Sequence, residues 1–373
     1  MSSATGGRRW VWNLLRVAFT AIAVLVVLKM VRFGDYVRIE EAPGRVRTAD
    51  RREIRQIDRE PSRAVVRWAD GRVTEHAAGA VSEHEGFLSL FGRIDKALFV
   101  AMVAALLVPS FLLGLRWWIL LRGAGFGVPL GRTFFVTYAG LFFNNFLPGS
   151  VGGDIARALI AAAGEERKAA VAATVILDRA IGLAVMIVMG AVCMAPFAGR
   201  FADRTPVFLT FGLFAGMVLG YLVYFNRPLR GWLRDRLPFR RTLGELDGVF
   251  RLAKERPGRA AAVAGISVLS QGTAILAAFG LARALGIGTV PLWAFFVFEP
   301  IIFIATAIPV SVGGWGVQEG AYVYLFGTFA GMDPNQAVAL SVLYKLSWIL
   351  VSIPGGLLFA LGATRQPPAA PPR

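Results

Sequence analysis

A string that should end any helix occurs twice inside apolar sequence. Leu147-Pro148-Gly149-Ser150-Val151-Gly152-Gly153 recurs 161 residues later as Ile308-Pro309-Val310-Ser311-Val312-Gly313-Gly314. The echo extends upstream, where Phe134-Phe135-Val136 returns as Phe295-Phe296-Val297 and Val128-Pro129-Leu130 as Val290-Pro291-Leu292. Three matches in the same order indicate a duplicated unit. Proline and paired glycine break a helix, and a broken backbone in an apolar medium is tolerated only where protein or a water-filled cavity covers it. Discontinuous segments at matching positions of two halves are a sequence pointer to a buried binding site.

Composition supplies the medium. Of 373 residues 56% are hydrophobic and 17% charged, with mean hydropathy +0.59, which fits a polytopic membrane protein rather than a large soluble core. The net charge of +16 comes from 40 Lys and Arg against 24 Asp and Glu. Much of this excess lies in short loops with no nucleic-acid module beside them, so the positive-inside bias explains it and no nucleic-acid partner is expected. The single cysteine, Cys193, excludes an intrachain disulfide, and both histidines, His76 and His84, lie in one polar segment. The membrane part therefore has no histidine for haem or zinc, and no metal or cofactor is expected.

Taken in order, residues 1–31 read as an N-terminal membrane anchor and 32–96 as a polar extramembrane insert with 13 basic and 12 acidic residues. Ala64-Val65-Val66-Arg67-Trp68 before Asp70-Gly71 is a strand followed by a hairpin turn, so the insert is expected to be β-rich. Residues 97–196 form a first membrane repeat, 197–259 a linking span with a basic loop, 260–361 a second repeat, and 362–373 a Pro-rich tail. Spans are expected at 97–121, 169–196, 206–225, 260–286 and 336–361.

Segment 226–259, with ten Lys or Arg against four acidic residues, is placed in the cytoplasm. Counting spans from there puts both termini in the cytoplasm and the insert on the outer side. It also makes segment 133–163 leave and return on the inner side, and 291–330 on the outer side. The sequence thus predicts an all-α polytopic membrane protein. Its core is an inverted-topology repeat of span, re-entrant hairpin and span, to which the small β-rich insert is added.

Ionisable residues inside such segments are costly and mark function by default. Asp154 and Arg157 follow the first glycine pair at helical spacing. Gly152 and Gly153 allow close approach, the half-helix N-terminus offers N–H groups to an anion, and Arg157 offers a guanidinium to phosphate. An internal Asp154–Arg157 pair is the structural alternative. Asp178 and Arg179 point about 100° apart on a helix, so each is expected to meet a partner on another helix. Glu299 lies in the rising arm of the second hairpin, and Gln318-Glu319 follow Gly313 and Gly314 in the falling arm. Lys345 is the cation available to Glu299 or Glu319. Asn144 and Asn145 precede the first break and suit either a headgroup or freed backbone. Ser150 and Ser311 sit within the breaks themselves.

At these residues the chain resembles the flippase-like membrane domain of bacterial lysylphosphatidylglycerol synthases, the multiple peptide resistance factor family, in its stand-alone form. The resemblance rests on Asn144-Asn145-Phe146-Leu147-Pro148 with Gly152-Gly153-Asp154 and Arg157. It continues through Leu177-Asp178-Arg179 with Gly182-Leu183, Pro309 with Gly313-Gly314-Trp315-Gly316-Val317-Gln318-Glu319, and Leu343-Tyr344-Lys345. It implies movement of a lipid across the bilayer. The aminoacyl-transfer activity of two-domain members is not carried over, because the Pro-rich tail leaves no room for a synthase domain.

The expectation is an inner-membrane transporter of a phosphate-bearing lipid, either a modified phospholipid or a polyprenyl-phosphate carrier, and not an enzyme. Two other readings remain at this point. One is a polyprenyl-dependent glycosyltransferase using Asp35, Glu40 and Glu41; the other is a scaffold that docks an envelope-synthesis partner through 32–96.

Overall fold

The computed structural model describes residues 17–29, 31–42, 45–146, 152–163, 166–226, 256–308 and 310–361. The break residues Leu147 to Val151, including Ser150, and Pro309 lie outside the described residues, as do most of the basic loop and the tail.

Five helices are long and apolar enough to cross a membrane, at Lys96–Gly123, Lys168–Arg200, Thr205–Val223, Pro257–Ala284 and Pro334–Ala360. They coincide with the five spans expected between residues 97 and 361. The N-terminal helix α1, Val17–Lys29, is shorter.

The first long span is two helices in line, α3 (Lys96–Ala105) and α4 (Leu107–Gly123). The joint at Leu106 has a local cause: the ring of Pro109 opposes the carbonyl four residues back, at Ala105, and proline has no N–H to give it. The remaining long helices are α7 (Lys168–Met194), α8 (Thr205–Phe225), α9 (Pro257–Ala284) and α13 (Pro334–Ala360). Helix α13 is central and α8 peripheral, with 56% and 11% of their apolar windows buried. Phe208, Leu219 and Leu222 of α8 are exposed, as side chains facing hydrocarbon would be.

Between the spans lie two hairpins. The first joins α5 (Leu130–Phe146) to α6 (Gly152–Ala161). The arms touch where two glycines meet: a Cβ on Gly153 would lie 1.9 Å from the Gly140 carbonyl oxygen. The second joins α10 (Leu292–Ala307) to α11 (Val317–Tyr322), which continues through a π turn at Val323–Gly327 into α12 (Thr328–Ala330). Its bend needs positive φ at Gly313, Gly314 and Gly316, which L-residues with a Cβ avoid. The hairpins meet at their bends, because a Cβ on Gly313 would fall 2.9 Å from the Asn145 carbonyl oxygen. Helix α13 lies against α5 with no room for a Cβ at Gly355, 2.2 Å from the Tyr138 backbone. The second unit's last helix thus seats the first unit's rising arm.

The insert is β-rich, as its alternation indicates. β1 (Tyr36–Ala42), β2 (Arg45–Asp50) and β6 (Val81–His84) form one antiparallel sheet in the order β2-β1-β6. β3 (Ile54–Arg59), β4 (Arg63–Trp68) and β5 (Val73–Ala77) form the other, with β4 in the middle. Ala64, Val66 and Trp68 alternate inward on β4 and meet Val37 and Ile39 of β1 in a small apolar core. The turn after β4 uses Gly71 at φ +89°.

A short helix, α2 (Phe87–Gly92), leads from the insert back to α3. The insert is latched to the start of α13. The Tyr36 hydroxyl donates to both Asp333 oxygens at 2.9 and 2.8 Å, and His84 Nδ1 lies 3.0 Å from Asp333 Oδ2. Asn335 accepts from the Arg32 N–H at 2.9 Å and donates to the Arg32 carbonyl at 3.0 Å. Desolvation holds the His84 pKa below its ordinary value, with Asp333 opposing, and burial together with Asp333 raises that of Tyr36.

Candidate functional site

A cavity of about 310 Å³ lies between the two hairpins, and both units contribute to its lining. Ten of the residues singled out from sequence line it: Asn144, Asn145, Asp154, Arg157, Asp178, Arg179, Glu299, Gly313, Gln318 and Lys345. Gly152, Gly153, Ser311, Gly314 and Glu319 stand behind the wall, and Ser150 lies outside the described residues.

On the first unit's side the polar groups form a chain of ion pairs. Helix α6 carries Asp154 and Arg157, both buried, and the stem of Arg157 crosses α5 at Gly140, where a Cβ would come within 2.3 Å of it. Both terminal nitrogens of Arg157 reach Asp178 Oδ2 on α7 at 3.3 Å. Arg116 of α4 donates from Nε to Asp178 Oδ1 at 2.7 Å and from a terminal nitrogen to Ser267 Oγ of α9 at 3.0 Å. Arg179 donates to Asp154 Oδ2 at 2.7 Å. Asp178 and Arg179, adjacent in sequence, therefore meet partners on other helices, as their angular separation requires.

The internal Asp154–Arg157 contact is long, at 3.5 Å, and is the minor bond of Arg157. The guanidinium also lies 4.3 Å from the centre of the Trp117 ring, a cation–π contact. Trp117 is fixed in turn by its indole N–H, which donates to Thr174 Oγ1 at 3.1 Å.

Three guanidinium groups thus face two carboxylates, leaving one positive charge over. Arg157 Nε is buried and has no hydrogen-bond acceptor among the described residues. In an apolar surround, an excess of cations attracts an anion.

The glycine-rich N-termini behave differently from the expectation of N–H groups free for an anion. Gly153 N–H is taken by Asn144 Oδ1 at 2.8 Å, and Val312 N–H by Thr20 Oγ1 of α1 at 2.8 Å. Gly316 N–H goes to Glu319 Oε2 at 2.6 Å. Side chains take these three N–H groups, so an anion in the cavity would meet the arginines rather than them. Asn145 donates to the Leu141 carbonyl and to Ser352 Oγ, joining the first bend to α13.

On the second unit's side Lys345 pairs with Glu319 at 3.2 Å and stacks 4.1 Å from the Trp315 ring centre. Lys345 lines the cavity, whereas Glu319 faces α1 and caps the bend. Glu299, on α10, accepts a short hydrogen bond from the Tyr322 hydroxyl.

Sequence reading did not single out Arg116, Trp117 or Tyr322, and Trp315 entered only as part of the motif that carries the resemblance. Arg116 had a legible signal, an arginine well inside an apolar span. The others are aromatic residues among many, and only the fold brings them to a charge. Asp35, considered for catalysis, is engaged in structure: its side chain accepts the Gly86 N–H at 2.7 Å, the main cause of its lowered pKa.

Residues 80–355 match the family described as the lysylphosphatidylglycerol synthase transmembrane region, and the chain belongs to that family. Helix α1 and most of the insert fall outside the matched segment. Among curated proteins none matches the chain.

Proposed function

We propose that this multi-pass membrane protein moves a phosphate-bearing lipid between leaflets by alternating access and is not itself an enzyme. The observation that carries this reading is the set of three guanidinium groups, Arg116, Arg157 and Arg179, held against two carboxylates, Asp154 and Asp178, on the first unit's side of a cavity that both hairpins line. A phosphate diester bears one negative charge and would meet the guanidinium groups of Arg157 and Arg179 that line the cavity, while its acyl or prenyl tails stay in lipid.

The arms of the hairpins support a re-entrant placement. At 1.5 Å per residue, α5, α6 and α10 are about 25, 15 and 24 Å long, short of the roughly 30 Å hydrocarbon core. Bends that meet near mid-depth, one entered from each face, would let either unit rock about a fixed site. In this reading the protein lies in the bacterial inner membrane with both termini cytoplasmic and the insert outside, free to meet an envelope-synthesis partner.

The test uses the full chain in liposomes with headgroup-labelled phosphatidylglycerol or polyprenyl phosphate, and a membrane-impermeant quencher. Wild type should expose inner-leaflet label and Arg157→Ala should not, although Arg116 still holds Asp178 and the variant should elute as a folded species. Normal lipid movement in Arg157→Ala would sink the assignment.

A further inference from the structure

From the surroundings of Glu299 we infer that this carboxyl takes up and releases one proton per transport cycle, so that the proton gradient drives lipid movement. The inference rests on the lipid-transport reading and supplies its energy source.

Glu299 is 5% exposed and sits mid-way along α10, just before Pro300. Its partner among the described residues is the neutral Tyr322 hydroxyl, received on Oε1. Among the described residues Oε2 has no hydrogen-bond partner, and Glu299 lines the cavity.

The charged and titratable groups on the elements packed around α10 are committed elsewhere. From α7, Asp178 is held by Arg116 and Arg157, Arg179 is held by Asp154, and Cys193 carries no charge. Arg283 of α9 donates to the carbonyls of Ile287 and Val290. Glu319 of α11 and Lys345 of α13 pair with each other, and Tyr344 donates to the Ala274 carbonyl at 3.4 Å. Tyr324, in the π turn, is exposed.

Among the described residues no cation pairs with Glu299, and a buried ionised carboxylate without a paired cation costs many kcal/mol, so the group holds a proton instead. Its contrast with Glu319, equally buried but salt-bridged, isolates the point. The step is a simple exchange. When the cavity opens to the proton-rich side, the carboxylate takes H⁺ from water and becomes the neutral acid. When it opens to the other side, the acid returns H⁺ to water and the carboxylate is restored. Tyr322 positions the carboxyl in both forms and is a positioning residue.

Two measurements decide it. The first is the infrared C=O stretch of a protonated carboxylic acid at neutral pH in the full chain. It should be present in wild type and in Glu319→Gln and missing from Glu299→Gln, whose amide oxygen still accepts from Tyr322. An unchanged band in Glu299→Gln overturns the inference whether or not any lipid moves.

The second uses the liposome assay with labelled phosphatidylglycerol and a one-unit pH gradient. One proton per lipid should skew the label between leaflets by up to about tenfold, since one pH unit is worth about 1.36 kcal/mol. Glu299→Gln should show no skew. If wild type moves lipid to an equal distribution with or without the gradient, the coupling fails and the lipid reading stands. If wild type moves no lipid under either condition, the lipid reading fails and the coupling falls with it.

Discussion

Replacing Asp178 by Asn removes the carboxylate that two buried guanidinium groups share. Asp178 is 1% exposed and accepts from Arg116 at 2.7 Å and from both terminal nitrogens of Arg157 at 3.3 Å. Taking away one partner of a buried ion pair costs about 3–5 kcal/mol, because the other charge stays buried without compensation. The amide oxygen of Asn still accepts from Arg116, and Arg157 keeps its weaker contact with Asp154, so Asp178→Asn belongs at the lower end, about 3 kcal/mol. That is roughly a hundredfold in the folding equilibrium. Asp178→Leu, which leaves no acceptor, belongs at the upper end, about 5 kcal/mol.

The assay is reversible unfolding in mixed micelles of rising dodecyl sulfate fraction, followed by tryptophan fluorescence. Asp58→Asn is the internal control: Asp58 and Arg67 pair at 3.1 Å with side chains 36% and 54% exposed. An exposed pair of this kind is worth about 0–1 kcal/mol. If Asp178→Asn costs no more than Asp58→Asn, water reaches the chain of charges and the argument for an uncompensated buried cation fails.

Three further outcomes follow from the geometry. Gly153→Ala should push the first hairpin's arms apart, because its Cβ would meet the Gly140 oxygen at 1.9 Å; a loss of about 1–3 kcal/mol or more and of lipid movement is expected, while Gly127→Ala, with open space around it, changes neither. Lys345→Met should destabilise by about 3–5 kcal/mol by stranding Glu319, and Lys345→Met with Glu319→Gln, whose amide oxygen can still accept the Gly316 N–H, should recover most of that in the same unfolding assay.

The third concerns acid. His84 is held neutral, with Nε2 accepting from Ser82 and Nδ1–H assigned to Asp333 from that network. Its folded pKa is depressed, so its contribution to docking is present above the unfolded value of about 6.5 and is lost as pH falls through the lower folded value. Proteolysis of the insert should therefore quicken as the pH falls below the ordinary histidine value of about 6.5, and His84→Asn should lose that step; a cleavage rate that stays unchanged on acidification would contradict the latch.

The sequence by itself determined the medium, the spans and the position of the breaks. Apolar runs such as 168–194 have one stable state in lipid, a helix with every backbone group bonded within it, so length and composition suffice to find them. Pro148 and the paired glycines at 152–153 and 313–314 mark where that state must end. The insert's sheets were legible for a similar reason, since Ala64, Val66 and Trp68 alternate with a period of two.

Which charges meet was not legible, because it depends on helix rotation and packing that no local pattern encodes. Asp178 and Arg116 are 62 positions apart and come together only because α4 and α7 flank the same bend. Lys345 could answer Glu299 or Glu319 from sequence alone. The fold gives it to Glu319, and that leaves Glu299 with a hydroxyl for its partner. The glycine-rich N-termini looked open to an anion until Asn144, Thr20 and Glu319 were found capping them. Local chemistry fixed where the helices stop, and tertiary packing decided which side chains take the N–H groups there and which charges pair.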